Sequence, residues 1–161
     1  DKAKINLTKE IILRGIQPNR IIFGKRLSKS EYLARYQVAD LFLDTLPYNA
    51  GATASDALRM GLPVLTCLGN SMVSRQCSSH LNAVNLPELI KTNQEEYESF
   101  AIELAMNPEK LKIIKNKLAT NLPTARLYNT TLFTKNLESA YLKMYDKYQK
   151  GLDLDHIYLE Y

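Results

Sequence analysis

No apolar run in these 161 residues approaches the ~20 that a helix needs to span a bilayer, which excludes a membrane protein. Cysteine is scarce. Cys67 and Cys77 form neither a CxxC pair nor a zinc-like spacing with a histidine, so both read as reduced core thiols of a reducing, cytoplasmic compartment. The two histidines, His80 and His156, have no Ser, Cys or acidic partner at a diagnostic spacing and read as structural or solvated. Dense basic blocks are also missing: the formal net charge is only +4, with Lys and Arg scattered among acids, so nucleic acid is not an expected ligand. The chain begins at Asp1 without an initiator Met or the apolar core of a signal peptide, and the expectation is a trimmed chain or a piece of a larger protein.

What is there belongs to a water-exposed globular fold. The hydrophobic fraction is 45% and the charged fraction 24%, over a length that suits one domain with a core of its own. Apolar residues at helical spacing (Leu7, Ile11, Ile12, Ile16) predict a helix over 5–16, stopped by Gly15 and Pro18. Arg20-Ile-Ile-Phe23 is too short for a helix and rich in branched residues, which predicts a buried strand. Ser28-Lys-Ser-Glu31 has the form of a capping box and opens a helix to about Val38. Asp40-Leu-Phe-Leu-Asp44 reads as a second buried strand, followed by a loop through Ala52 whose Pro47 and Gly51 forbid a regular element. A helix from about Thr53 to Met60 ends at Gly61, and Pro63 to Thr66 forms a third strand before Gly69. A helix around Val73 to Leu81 and a short fourth strand near Leu89 and Ile90 complete the alternation expected of a parallel sheet with right-handed crossovers.

From Asn93 onward only helical periodicity remains. One stripe is Tyr97, Phe100, Ala101 and Leu104, and a second, beyond Asn107-Pro108, is Leu111, Ile114 and Leu118. The last helix, about Thr130 to Lys150, carries Phe133, Leu137, Tyr141, Met144, Tyr145 and Tyr148, read as core or interdomain packing. Residues 1–92 are therefore expected to form the sheet-bearing core and 93–161 a helical segment of one partial domain.

In an open parallel sheet, ligands bind at the carboxyl ends of the strands, where loops lead into helix starts. Two places qualify. At the first, Leu27 precedes a helix that presents Lys29, Tyr32 and Arg35 around one side; this suits a nucleotide, and equally suits a solvated Lys and Arg beside a half-buried Tyr. The second is Asn49-Ala-Gly-Ala-Thr-Ala-Ser-Asp56, where small residues let backbone approach a ligand and free N–H groups attract a diphosphate. It is neither a Walker loop nor GxGxxG. Asp56, three residues after Thr53, suits a ribose diol or a capping contact with the Thr53 N–H. Glu95 and Glu96 open a helix whose dipole they complement, a glycosidase pair being a remote alternative. Arg75, near another helix start, reads as a surface ion pair.

Arg20 to Phe23, Gln37 to Thr45, Tyr48 to Thr66 and Ser74-Arg75 together resemble the C-terminal catalytic region of the O-GlcNAc transferase and SPINDLY family. The resemblance continues through Leu89-Ile90, Tyr97, Leu127 to Thr130, Leu137-Glu138, Tyr141 to Tyr145 and Asp155-His156, and so covers nearly the whole chain. It implies an α/β fold with a Rossmann-like parallel sheet, the C-terminal half of a GT-B glycosyltransferase, followed by helices. It implies metal-independent, inverting transfer from a UDP-sugar, usually UDP-GlcNAc, to a Ser or Thr hydroxyl of a protein acceptor, with the sugar nucleotide as substrate and no cofactor. Other GT-B donors, UDP-glucose or GDP-fucose, and a non-catalytic nucleotide-binding or partner-docking module are the alternatives.

By position in that resemblance, Lys29 is similar to the lysine near ribose and diphosphate, and Leu27 to the residue whose backbone meets the uracil. Asp56 is similar to the ribose-binding acid, and Ala52 and Thr53 to the residues whose N–H groups and hydroxyl meet the diphosphate. Tyr32 stands where many members have a His, and Gly51 and Ala52 replace the His-Thr of a common Gly-His-Thr-Thr form; an aromatic ring still stacks and an N–H still binds phosphate. The resemblance also implies upstream TPR helices and an N-terminal catalytic domain as partners, so that this chain by itself is expected to be inactive.

Overall fold

The computed structural model describes residues 2–159. The chain divides into two compact units, Asp1–Tyr32 and Leu33–Tyr161.

In the first unit, α1 (Lys2–Leu13) ends where Gly15 takes φ +73°, a left-handed conformation that costs glycine little. Its apolar stripe buries nothing completely: Leu7 and Ile12 stay exposed and Ile11 is half-buried. The strand expected over Arg20–Phe23 is not formed. Arg20 closes a 3-10 turn, Pro18–Arg20, and Ile22 beyond it is 90% exposed. A strand exists through ladder hydrogen bonds to a neighbour, and none of the described residues pairs with this run. The capping box does form. The Ser28 N–H donates to Glu31 Oε2 (3.1 Å) and the Glu31 N–H points at Ser28 Oγ (3.4 Å), opening α2 (Lys29–Arg35), within which the two units divide. The bonds from Ser28 hold the Glu31 carboxyl below the ordinary carboxylate range.

The second unit is built on a parallel sheet. β1 (Phe42–Leu43) leads through α3 (Ala52–Arg59) to β2 (Val64–Cys67), and α4 (Gln76–Ala83) leads on to β3 (Ile90–Lys91). The spatial order is β1-β2-β3, with Phe42 opposite Val64 and Thr66 opposite Ile90. All four residues of β2 are buried, as expected of a central parallel strand covered on both faces. α3 and α4 pack on each other and on β2, while α5 (Gln94–Met106) packs on β2, β3 and α6 (Pro108–Asn121). Ala54, Ala57 and Leu58 from α3, Val64 and Leu65 from β2, Leu81 from α4, Leu104 from α5 and Leu118 from α6 are fully buried or within 1% of it, and form one core. Each such leucine contributes roughly 1.5–3 kcal/mol relative to an exposed one.

The helix boundaries follow local chemistry. Gly61, at φ +81°, closes α3: its N–H meets the Leu58 carbonyl and that of Leu62 meets the Ala57 carbonyl, the paired bonds of a Schellman end. Asn93, Asn107 and Asn129 cap α5, α6 and α7 (Thr130–Gln149) through their side-chain oxygens. Glu95 and Glu96 sit in the first turn of α5, and bonds from Thr92 and Asn93 hold the Glu96 carboxyl below its usual range. The stripe on α7 is not core. Among the described residues α7 buries none completely, and Phe133, Tyr141 and Tyr145 are more than half exposed. Periodicity establishes that a helix has an apolar face without saying what covers it.

Candidate functional site at the start of α3

The carboxyl end of β1 opens into the loop 44–51, which feeds α3. Asp44, directly after β1, is a buried carboxylate following an apolar run. Its Oδ1 accepts the N–H groups of Thr45 (2.9 Å) and Ala50 (2.8 Å), so both ends of the loop are tied to one side chain. Its Oδ2 accepts the Thr66 hydroxyl at 2.6 Å, and Thr66 Oγ1 in turn accepts Asn49 Nδ2 at 2.9 Å. Tyr97 on α5 donates its hydroxyl to the Asp44 carbonyl at 2.8 Å. Burial, with Asp44 nearby, pushes the Tyr97 hydroxyl up to about 12. Burial likewise pushes the Cys77 thiol, beside Asp44 and Thr66, up to about 12; both cysteines are free and buried.

Gly51 stands at the N-cap of α3, and no side chain caps that helix. The exposed Ala52 and Thr53 begin it, so their N–H groups have no partner within the helix and stand at the positive end of its dipole. A Cβ on Gly51 would collide with Gln76 Oε1, so the backbone here is as close to a neighbour as glycine allows. Two tyrosine hydroxyls grip the first turns: Tyr36 donates to the Thr53 carbonyl (3.3 Å) and Tyr128 to the Ser55 carbonyl (2.7 Å). Burial pushes the Tyr128 hydroxyl upward despite the bond to Ser55. A cavity of about 260 Å³ lined by Asp44, Tyr48, Asn49, Gly51 and Thr53 lies against this loop.

A larger cleft of about 630 Å³ lies between β1 and the α5–α6 pair, lined by Leu41, Leu43, Leu104 and Leu111 with Lys112 and Lys115 at its edge. Size alone does not make a site; convergent polar groups do, and those stand at the start of α3.

Gly51, Ala52, Thr53 and Asp56 are thus brought together on the first two turns of one helix. Asp56 is half-buried, on the second turn of α3. Arg35, in the same unit, is exposed at the end of α2. Leu27, Lys29 and Tyr32 belong to the first unit, where Leu27 and Lys29 are exposed and Tyr32 is half-buried. His80 on α4 is half-buried, which lowers its imidazole from the ordinary value, and its Nδ1 is buried without a partner. Arg75 is exposed. Among the described residues no three His, Cys, Asp or Glu side chains gather as metal ligands, and no helix is long and apolar enough to cross a membrane. Sequence reasoning missed Tyr36, Asp44, Thr66, Gln76 and Tyr128. Of these only Asp44 and Thr66 carried a signal, as polar residues beside and within apolar strands.

Parallel strands, crossover helices and a glycine-led helix start at the strand ends define a Rossmann-like α/β domain of the GT-B kind. Residues 2–137 match the model of glycosyl transferase family 41, and the chain belongs to that family. It is 31% identical over 152 residues to the UDP-N-acetylglucosamine–peptide N-acetylglucosaminyltransferase of Caenorhabditis elegans, covering 94% of this chain and 13% of that protein. It is 35% identical over 144 residues to the probable enzyme of that name, SEC, of Arabidopsis thaliana, covering 89% of this chain and 15% of the relative. Among solved structures, a mutant of the Thermobaculum terrenum O-GlcNAc transferase superposes with a TM-score of 0.84 at 33% identity, over 92% of this chain and 29% of that one. The chain therefore spans about a seventh of the length of these curated relatives.

Proposed function

We propose that this chain supplies the donor-binding part of a protein O-glycosyltransferase that moves GlcNAc from UDP-GlcNAc to a Ser or Thr hydroxyl with inversion. The observation that carries the reading is the uncapped, glycine-led start of α3 at the carboxyl ends of β1 and β2. The names of the relatives support the donor and the peptide acceptor. In this reading the N–H groups of Ala52 and Thr53 and the Thr53 hydroxyl bind the diphosphate, and Asp56 binds the ribose diol. For Leu27, Lys29, Tyr32 and Arg35 a nucleotide-binding role rests on the sequence alone.

The chemistry is a direct displacement. An acceptor hydroxyl, giving up its proton to a general base, attacks the anomeric carbon, the bond to the diphosphate oxygen breaks, and negative charge grows on the UDP leaving group. Helix-start dipoles fixed before the reaction stabilise that charge more than they stabilise the bound donor, and so lower the barrier. We assign no metal or cofactor to the site. The protein acceptor, an upstream TPR region and an N-terminal catalytic domain are its proposed partners, and the free Cys67 and Cys77 suit the cytoplasm.

Titration with UDP, GDP and UDP-GlcNAc tests the reading. UDP is expected to bind in preference to GDP, and Asp56→Asn to weaken UDP by about 1–3 kcal/mol through loss of a charge-assisted bond. Preference for GDP would move the chain to another donor, and no binding of any of the three would make it a docking module.

A further inference from the structure

The start of α3 is held by a chain of almost fully buried hydrogen bonds. Asn49 is 1% exposed, Thr66 is fully buried and Asp44 is 5% exposed. The direction of each bond is set by the chemistry of the groups. Asp44 offers only acceptors, so the single Thr66 hydroxyl proton points at Oδ2 (2.6 Å). Thr66 Oγ1 is then left as an acceptor for Asn49 Nδ2 (2.9 Å), whose second proton goes to the Cys67 carbonyl (2.9 Å). Turning the amide round would bring its oxygen against that carbonyl, so the carboxamide has one orientation.

Asn49 Oδ1 is buried without a partner, so these two bonds from Nδ2 are what hold the side chain. On the other arm, Asp44 Oδ1 fixes the N–H of Ala50, the residue immediately before Gly51. Thr45 Oγ1 closes the loop by donating to the Tyr48 carbonyl at 3.2 Å. The chain enters α3 from two consecutive anchored residues, Asn49 and Ala50, and both anchors lead back to Asp44.

We propose that Asp44 and Thr66 are positioning residues, which set the placement of the Gly51–Thr53 backbone through Asn49 and Ala50 and thereby the affinity for a nucleoside diphosphate. The proposal rests on the reading of the α3 start as the diphosphate site. Neither side chain contacts the nucleotide. The effect travels because a donor displaced by a few tenths of an ångström loses much of a short, charge-assisted bond.

The test is a UDP titration of the 161-residue chain followed by amide NMR, with hydrogen exchange in the free protein. Thr66→Val keeps the shape of the side chain and removes the hydroxyl, whereas Thr66→Ser keeps the hydroxyl. The expected result is a UDP dissociation constant raised about tenfold or more in Thr66→Val, equal to ~1.4 kcal/mol, with near wild-type binding in Thr66→Ser. Exchange at Ala50, Gly51 and Thr53 should quicken in Thr66→Val while protection in α6 stays as it was, a local change that general loss of stability would not give. If Thr66→Val does not fold, Asp44→Asn carries the same comparison, since it still accepts from Ala50 but puts an amide N–H against Thr66.

Wild-type UDP affinity in the folded hydroxyl-less or amide variant, alongside weakened binding in Asp56→Asn, overturns the positioning role and leaves the site standing. A wild-type chain whose amides do not respond to millimolar UDP overturns the site and this proposal with it.

Discussion

Asp44 shows how one residue can organise a loop. A buried carboxylate is costly unless donors surround it, and three do, from Thr45, Ala50 and Thr66. Removing the Thr66 hydroxyl would leave Asp44 Oδ2 unmatched, at ~1–3 kcal/mol. The same burial shapes two neighbours. Cys77 moves from 9.0 to about 12 and Tyr97 from 10.0 to about 12, chiefly by desolvation. Both hold their protons more tightly folded than unfolded, so their contribution is fully present below pH 9 and is lost as pH rises through about 12. The midpoint of urea unfolding is therefore expected to fall steadily above pH 9, with a shallower fall in Cys77→Ala. A midpoint that stays flat across that window would show that neither group is buried as described.

At the scale of elements, α3 is the informative one. At eight residues it is below the ~12–15 at which an isolated helix becomes even marginal in water, so its stability is tertiary. Ala54, Ala57 and Leu58 bury one face, and the hydroxyls of Tyr36 and Tyr128 hold its first two turns. In the proposed reading, the N-terminal N–H groups can then bind a ligand without unravelling the helix. Gly51→Val should leave the fold intact, because the atom its Cβ would meet is the movable end of Gln76. The new side chain would then stand in the cradle, and UDP affinity is expected to drop at least tenfold, by ~1.4 kcal/mol, with an unchanged far-ultraviolet dichroism spectrum. Equal affinity in the two proteins would remove the cradle from the account. α7 teaches the converse: its stripe of Phe133, Tyr141 and Tyr145 has helical period and yet remains largely exposed.

For the molecule as a whole, the decisive fact is proportion. The chain matches 29% of the length of the solved O-GlcNAc transferase chain and 13–15% of the Caenorhabditis elegans and Arabidopsis thaliana relatives. Holding donor and acceptor in line is worth roughly 7–11 kcal/mol of barrier in well-oriented systems. One binding surface supplies only part of that orientation. We expect the 161 residues by themselves to bind UDP weakly and transfer no sugar when incubated with radiolabelled UDP-GlcNAc and a pool of cell proteins. Robust incorporation would show that these residues form a complete catalyst.

Local signals sufficed wherever a short stretch of chain decides its own state. Ser28 and Glu31 formed their box, Gly15 and Gly61 ended their helices, and the alternation from Phe42 to Lys91 produced a parallel sheet. Gly51, Ala52, Thr53 and Asp56 were legible as a cluster because they are consecutive or nearly so. What needed tertiary structure was every property that depends on a partner far along the chain. Ile21 to Phe23 had the composition of a strand, but a ladder requires a neighbouring edge, which composition does not contain. Asp44 meets Thr66 across 22 positions and Tyr128 meets Ser55 across 73, pairings that exist only once β1 and β2 are in register and the chain after α6 has returned to α3. Periodicity records which face of an element is apolar; only the folded chain decides what that face, or a buried carboxylate, finds opposite it.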